Sequence, residues 1–250
     1  FELSNLKVKS YIHDIRDYNL IRKVMGDFKP EFVFHLAARP SVLESYNNPL
    51  DTYSTNIMGS VNVLEASRHT DSVRSVVVVT TDKVYRNNEW NYGYRENDEL
   101  GGHDPYSASK ASTELVTESY RKSFLTNDTD TPLIASARAG NVVGGGDWTE
   151  NRIIKDAVTA ASKDKKILIR NPNSSRPWQH VLEPLSGYLL LGQHLHQRNF
   201  DIVGSWNFGP ALNSNLTVKN LVRLMSEEWD KVVGECHINS EARHEARSLM

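Results

Sequence analysis

A single cysteine, Cys236, stands in 250 residues, so no internal disulfide can form and the usage fits a reducing compartment. No apolar run reaches the roughly 18 residues of a membrane span, and no charged-then-apolar segment opens the chain. These two absences make a cytoplasmic location the expectation. Excess charge of either sign is missing as well: the formal net charge is −2 and the Lys and Arg residues are scattered, which removes the electrostatic case for nucleic acid or an anionic membrane surface. Metal-ligand spacings are absent, because nine histidines and one cysteine form no HExxH or CxxC, and His194 and His196, two apart, fall on different helix faces. No metal is expected. No GxSxG surrounds a serine, so a hydrolase elbow is not supported. The segment "GNVVGGGDW" lacks both GxGxxG spacing and the Gly-Lys-Ser/Thr of a P-loop; it reads better as a substrate loop.

What the chain does have is alternation. Apolar spacing at Val8–Ile12 predicts a strand, "YNLIRKVMGDF" a helix stopped at Lys29-Pro30, and "EFVFHLAA" a buried strand. Pro49 opens a long helical segment with Ile57, Val61, Val63 and Leu64 on neighbouring turns. "VRSVVVVTT" is the next strand, a polar Gly-containing excursion follows, and helix resumes from "PYSASKASTELVTESYRKSF" before the strand "PLIASARAG". Past about residue 150 come a helix near Arg152–Ser162, a strand "KILIR", a loop "NPNSSRPWQH", a helix "LEPLSGYLLLGQHL", a strand "SWNFGP" and a helix over Thr217–Trp229. Parallel pairs need right-handed crossovers, so the pattern predicts an α/β fold: a Rossmann-like, doubly wound parallel sheet with a smaller C-terminal substrate-binding lobe. The expected domains are 1–150 for the cofactor and 151–250 for part of the lobe, interleaved with the first. "HLAA", "TTDK" and "ARAGN" end their strands, where such sheets bind ligands.

Chemistry concentrates at two of those positions. "TTDKVY" puts Asp82 beside Lys83 just where a buried strand stops, and burying either charge unpaired is costly, so the pair needs a reason other than the core. A local ion pair is the plain alternative. In "YSASK", Tyr106 and Lys110 are four apart and share a helix face; a nearby ammonium favours the phenolate and makes the tyrosine a usable general base. A bare YxxxK is otherwise an ordinary solvated helix face.

A strand ending in Thr-Thr-Asp-Lys followed by Tyr-xxx-Lys resembles the extended short-chain dehydrogenase/reductase superfamily. Within it, Thr81 and Asp82 match the dehydratase branch, while Lys83, where the commoner dehydratases carry Glu, resembles the CDP-glucose 4,6-dehydratases, as do "RAGNVVGGGDW" and "RPWQHVLEPL". The resemblance implies an NAD-dependent hydro-lyase of deoxysugar biosynthesis, with CDP-glucose as substrate and a homodimer or higher homo-oligomer as the assembly. It implies oxidation at sugar C4 with Tyr106 as base aided by Lys110 and Thr81, loss of water across C5 and C6 with Asp82 as acid, and Lys83 acting at C5 as base or as electrostatic stabiliser.

By the same resemblance Asp14 and Ile15 meet the adenine side of the cofactor, Leu36, Ala37 and Ala38 line its phosphates and ribose, and Asn56 lies near the nicotinamide. Tyr106 and Lys110 also touch the cofactor. Arg39, Asn141, Arg176 and His180 are the expected substrate contacts, a guanidinium fork suiting two phosphate oxygens. Asn56 could instead be a helix residue bonded to backbone, Arg176 a surface arginine, and His180 a structural histidine. Two other functions stay open: a nucleotide-sugar epimerase, which has no need of Asp82-Lys83, and a non-catalytic nucleotide-sugar-binding module. The family opens with a strand, a GxxGxxG turn and a helix that these residues do not contain, and continues past "EARHEARSLM", so the chain is expected to be internal to a longer enzyme.

Overall fold

The computed structural model describes residues 7–90, 92–124, 131–211, 214–236 and 248. In chain order the elements are α1 (Tyr18–Phe28), β1 (Phe32–His35), α2 (Val42–Asn47), α3 (Pro49–Tyr53), α4 (Gly59–Arg68), β2 (Ser75–Val79), α5 (Pro105–Phe124) and β3 (Leu133–Ala139). They continue with β4 (Val142–Val143), α6 (Ile153–Ala161), β5 (Ile167–Ile169), β6 (Ser175–Pro177), β7 (Gln179–His180), α7 (Leu182–His196), β8 (Ser205–Phe208), β9 (Asn215–Thr217), α8 (Val218–Glu228) and β10 (Gly234–Cys236).

Two units divide the chain. The first takes the chain through Arg86, then Glu99–Arg138 and Leu185–Asn207; the second takes Asn87–Asp98, Ala139–Pro184 and the chain from Phe208 onward. In the first, four strands run in the order β1-β2-β3-β8, with β1 and β3 both parallel to β2. The core packs Leu64 of α4 and the neighbouring Val73 against Val76, Val78 and Ile134 of the sheet, with Val116 and Tyr120 of α5 alongside. Every side chain of β3 is buried, as a parallel central strand requires. In the second unit α6, β5, α8 and Val232 enclose their own core of Ala157, Ala161, Ile167, Ile169 and Val222.

Helix α1 ends as its sequence suggests: Lys29 takes a left-handed conformation, donates to Met25 O at 2.8 Å, and Pro30 prevents continuation. Two expectations need correcting. Val8–Ile12 forms no strand; it lies in irregular chain, with Val8 and Ile12 among the most exposed apolar residues. Alternation alone does not hold a strand, and no ladder partner lies beside this segment among the described residues. Conversely, "NPNSSRPWQH" is not only loop: Ser175–Pro177 pairs antiparallel with Asn215–Thr217, and Gln179–His180 pairs parallel with Val142–Val143. These strands are too short for periodicity to register.

Candidate active site

The long helical segment from Pro49 is continuous but passes through one π turn, Ser54–Met58, between α3 and α4. Such turns insert a residue and redirect side chains, frequently at functional positions. This one carries Asn56, which is buried. Its Oδ1 accepts from Arg39 N at 2.7 Å, and its Nδ2 donates to Ser109 Oγ at 2.8 Å and Arg39 O at 3.2 Å. Ser109 in turn donates to Tyr106 O at 2.7 Å. Asn56 therefore ties the loop after β1 to the helix that carries Tyr106 and Lys110.

That helix starts where its sequence says it should. Asp104 accepts from Ser107 N at 2.9 Å and Ser107 Oγ at 2.6 Å, capping the first turn, and Pro105 takes the position where a missing N–H costs nothing. Tyr106 N donates to Ser45 Oγ at 3.1 Å. Gly102 makes the entry possible: a Cβ there would lie 2.2 Å from Ala108 N and 2.3 Å from Ser107 C, both backbone atoms that cannot swing aside. Gly102→Ala is thus expected to destabilise the fold by about 1–3 kcal/mol, read as a lowered urea midpoint at unchanged m-value; an unchanged midpoint would contradict the packing described.

At the end of β2 the chain leaves the sheet through a single 3₁₀ turn, Asp82–Val84, with Thr81 as its cap. Thr81 Oγ1 donates to Asp82 Oδ1 at 3.0 Å, and Lys83 Nζ reaches the same oxygen at 3.4 Å. The other oxygen, Asp82 Oδ2, is buried with no hydrogen-bond partner among the described residues. A buried carboxyl oxygen left open beside an ammonium and a hydroxyl is placed to meet a ligand's donor.

Lys110 is buried and donates to Val79 O, the last carbonyl of β2, at 3.0 Å. Burial pushes its ammonium down to about 8, with Glu114 opposing the shift. His35, at the end of β1, is pushed down to about 3 by burial first and by the Lys110 charge second, so it is neutral. Its Nε2 lies 2.9 Å from Ser60 Oγ, whose own proton goes to Asn56 O at 2.6 Å; Nε2 must therefore carry the hydrogen. Tyr188 on α7 is buried, and that burial, with Tyr106 as the second cause, pushes its phenol up to about 12; it stays protonated.

The remaining expected residues divide by unit. Leu36, Ala37 and Ala38 follow β1 directly, with Leu36 exposed. Asp14 precedes α1; side-chain and backbone hydrogen bonds from Arg16 hold its carboxyl at about 2, and Arg16 and Arg39 both pair with Asp51. Ile15 packs where a Cβ on Gly59 would come within 2.4 Å of it. In the second unit Asn141 O accepts from Gln179 N at 3.0 Å, bringing Asn141 beside β7 and His180, while Asn141 Oδ1 is buried without a partner among the described residues. Arg176 lies on β6, its Nη1 donating to Ser175 O at 2.8 Å.

Sequence reasoning missed His35, Tyr188 and the buried pair Glu114–Arg138. The spacing Lys110-xxx-Glu114 was a usable signal, since it repeats the one-turn step that joins Tyr106 to Lys110.

A strand-end Thr, a Tyr and Lys one helical turn apart, and a parallel sheet carrying both define the architecture of the extended short-chain dehydrogenases/reductases. The family model described as GDP-mannose 4,6 dehydratase matches residues 2–245, and the chain belongs to that family. The CDP-glucose 4,6-dehydratase of Salmonella typhimurium is 46% identical over 234 residues, which are 92% of this chain and 65% of that protein. The dTDP-D-glucose 4,6-dehydratase of Dictyostelium discoideum is 28% identical over 228 residues, 86% of this chain and 50% of that one. The chain thus spans just under two thirds of the first relative and half of the second. Among solved structures, the dTDP-glucose 4,6-dehydratase DesIV of Streptomyces venezuelae, with NAD bound, superposes with a TM-score of 0.78 at 19% identity, covering 99% of this chain and 72% of that one. The UDP-glucose 4-epimerase of Thermotoga maritima also gives 0.78, at 21% identity over 96% and 74%. At those identities the likeness is one of fold.

Proposed function

We propose that the protein is a hydro-lyase that converts CDP-glucose to CDP-4-dehydro-6-deoxyglucose with NAD as cofactor, in deoxysugar biosynthesis. The observation that carries this reading is Asp82: an acid directly after the strand-end Thr81, paired through one oxygen and open at the other. An epimerase has no use for it. The 46% identity to a CDP-glucose 4,6-dehydratase supports the choice of nucleotide.

The residues present suit the cofactor. Lys110 donates one hydrogen to Val79 O, and its other N–H groups have no acceptor among the described residues, which fits ribose hydroxyls; Ala37 and Ala38 leave the backbone after β1 approachable. NAD, when bound, supplies the hydride acceptor for C4 and the hydride donor for C6. Tyr106 takes the proton of the C4 hydroxyl, Thr81 orients that hydroxyl, and the Lys110 ammonium favours the phenolate. Asp82 protonates the C6 hydroxyl as it leaves, and Lys83, 3.4 Å from the same carboxyl, is assigned to C5, where it accepts the proton lost as water departs. Asn141, Arg176 and His180 are assigned to the substrate's diphosphate. The assembly is assigned as a homo-oligomer in the cytoplasm, in keeping with the lone Cys236 and with the exposed Leu50, Met58 and Leu115 on the helices of the first unit.

Incubation of the protein with each nucleoside-diphosphate glucose tests the reading; a 4-keto product from CDP-glucose is expected, and none from any of them would end it. Asp82→Asn, which keeps shape but offers no transferable proton, is expected to slow release of labelled water from CDP-[6-¹⁸O]glucose by about 100-fold or more while KM stays within about threefold. Release at the wild-type rate would remove Asp82 from the role of acid.

A further inference from the structure

Glu114 and Arg138 form an ion pair in the interior of the first unit, Arg138 Nη2 to Glu114 Oε2 at 2.8 Å, with side chains 1% and 3% exposed respectively. Replacing such a pair by apolar residues often costs nothing, so its presence calls for a role. Its other contacts point toward the site. Glu114 Oε1 accepts from Thr80 Oγ1, the residue before Thr81; Oε2 also accepts from Ser136 Oγ at 2.7 Å on β3 and Ser205 Oγ at 3.1 Å on β8. Arg138 Nη1 donates to Tyr85 Oη at 2.8 Å, three residues past Asp82, and Tyr85 donates to Asn207 Oδ1 at 2.7 Å. One carboxylate thus bonds to Thr80 just past β2, to Ser136 in the middle of β3 and to Ser205 at the start of β8, three adjacent strands, from a position one turn below Lys110.

We propose that Glu114, locked by Arg138, is a positioning residue for Lys110: it fixes α5 against the sheet and supplies the counter-charge that keeps the lysine an ammonium. The proposal rests on the reading of Tyr106 and Lys110 as catalytic. Of the charges near Lys110, Glu114 is the one that opposes its burial; Asp82, on the turn that packs against α5, is already met by Thr81 and Lys83. His35, from β1, is neutral, the partner from β2 is the uncharged Val79 carbonyl, and Arg138, from β3, is bound to Glu114 itself. Burial alone would raise the Glu114 carboxyl, but the hydrogen bond and charge of Arg138, with Thr80 and Ser136, bring it below the usual range, so it is ionised wherever Lys110 titrates.

The test is an NMR titration of the Lys110 side-chain nitrogen in protein labelled with ¹³C,¹⁵N-lysine, the signal assigned by its loss in Lys110→Arg. Because Glu114→Gln alone strands a buried guanidinium, the informative variant is Glu114→Gln/Arg138→Gln, which removes both charges and keeps hydrogen-bonding groups. Its Lys110 midpoint is expected to fall by about half a pH unit or more, while Glu114→Asp, which keeps the charge, leaves the midpoint near that of the wild type. An unmoved midpoint in the double variant overturns the proposal, as does loss of cooperative unfolding there, which would make the pair's task the fold itself. The titration uses no substrate. If the wild type fails to turn over CDP-glucose while the midpoint moves, the proposed function falls and this inference on the Lys110 charge stands; if it turns over and the midpoint does not move, this inference falls alone.

Discussion

Tyr106→Phe is expected to lower kcat for CDP-glucose by about 10²–10⁴-fold, the usual contribution of a positioned general base, with KM nearly unchanged. The change removes one oxygen. Tyr106 is buried at the first turn of α5, held through its backbone by Ser45 and Ser109, and the substitution keeps both the ring and those backbone bonds. Folding and ligand affinity should therefore persist while the proton acceptor is gone. Stopped-flow and steady-state kinetics, with circular dichroism as a folding control, decide the matter. Turnover at the wild-type rate would show that another group takes the C4 proton.

The second large effect concerns stability against acid. His35 is held neutral in the fold, pushed from the ordinary 6.5 to about 3. Below pH 6.5 the unfolded chain takes up a proton that the folded chain refuses, so stability is full above 6.5, declines as pH falls, and has lost this contribution by about pH 3. A shift of that size corresponds to on the order of 5 kcal/mol. His35→Gln, whose amide can still donate to Ser60, is expected to flatten the decline between pH 6.5 and 4 in urea unfolding curves. An equally steep decline in the variant would place the acid sensitivity elsewhere. Above about pH 8 a second effect of the same sign sets in: Lys110 loses its proton in the fold before it would in the unfolded chain, so the cost of keeping that ammonium buried disappears and stability rises further with pH.

Where the sequence carried a local physical signal, fold and site were readable from it. The four consecutive valines of β2, the cap Asp104-Pro105 ahead of α5, and the helix stop at Lys29-Pro30 all act within a few residues, and each element lies where they put it. The places of Thr81, Asp82, Lys83, Tyr106 and Lys110, at a strand end and on one helical turn, were legible for the same reason, while the roles proposed for them come from the family resemblance. Features that depend on partners distant in sequence were not. Val8–Ile12 alternates like a strand yet has no neighbour to pair with among the described residues, and Ser175–Pro177 contains a proline yet forms a ladder because Asn215–Thr217 lies beside it. Ser136 and Arg138 look out of place in a buried strand until Glu114, 22 and 24 positions earlier, is found against them. The π turn at Asn56 has no sequence signature at all, and the three bonds of the buried amide it carries reach partners 17 and 53 positions away.

The interleaving of the two units has a consequence for how the molecule is made on the ribosome. The first unit begins at the start of the described chain but lacks β8 until Ser205–Phe208 has been synthesised, and the second likewise waits for α8 and β10. Until then Ser136 and Glu114 lack Ser205, and one side of β3 presents an unpaired edge. Until β8 emerges the nascent sheet stays open with long-range closures still to come, a situation that slows folding and favours association between copies. Cutting the chain anywhere before Phe208 releases neither unit as a complete body, so shortened versions intended to isolate one function would inherit the exposed edge of β3 along with it.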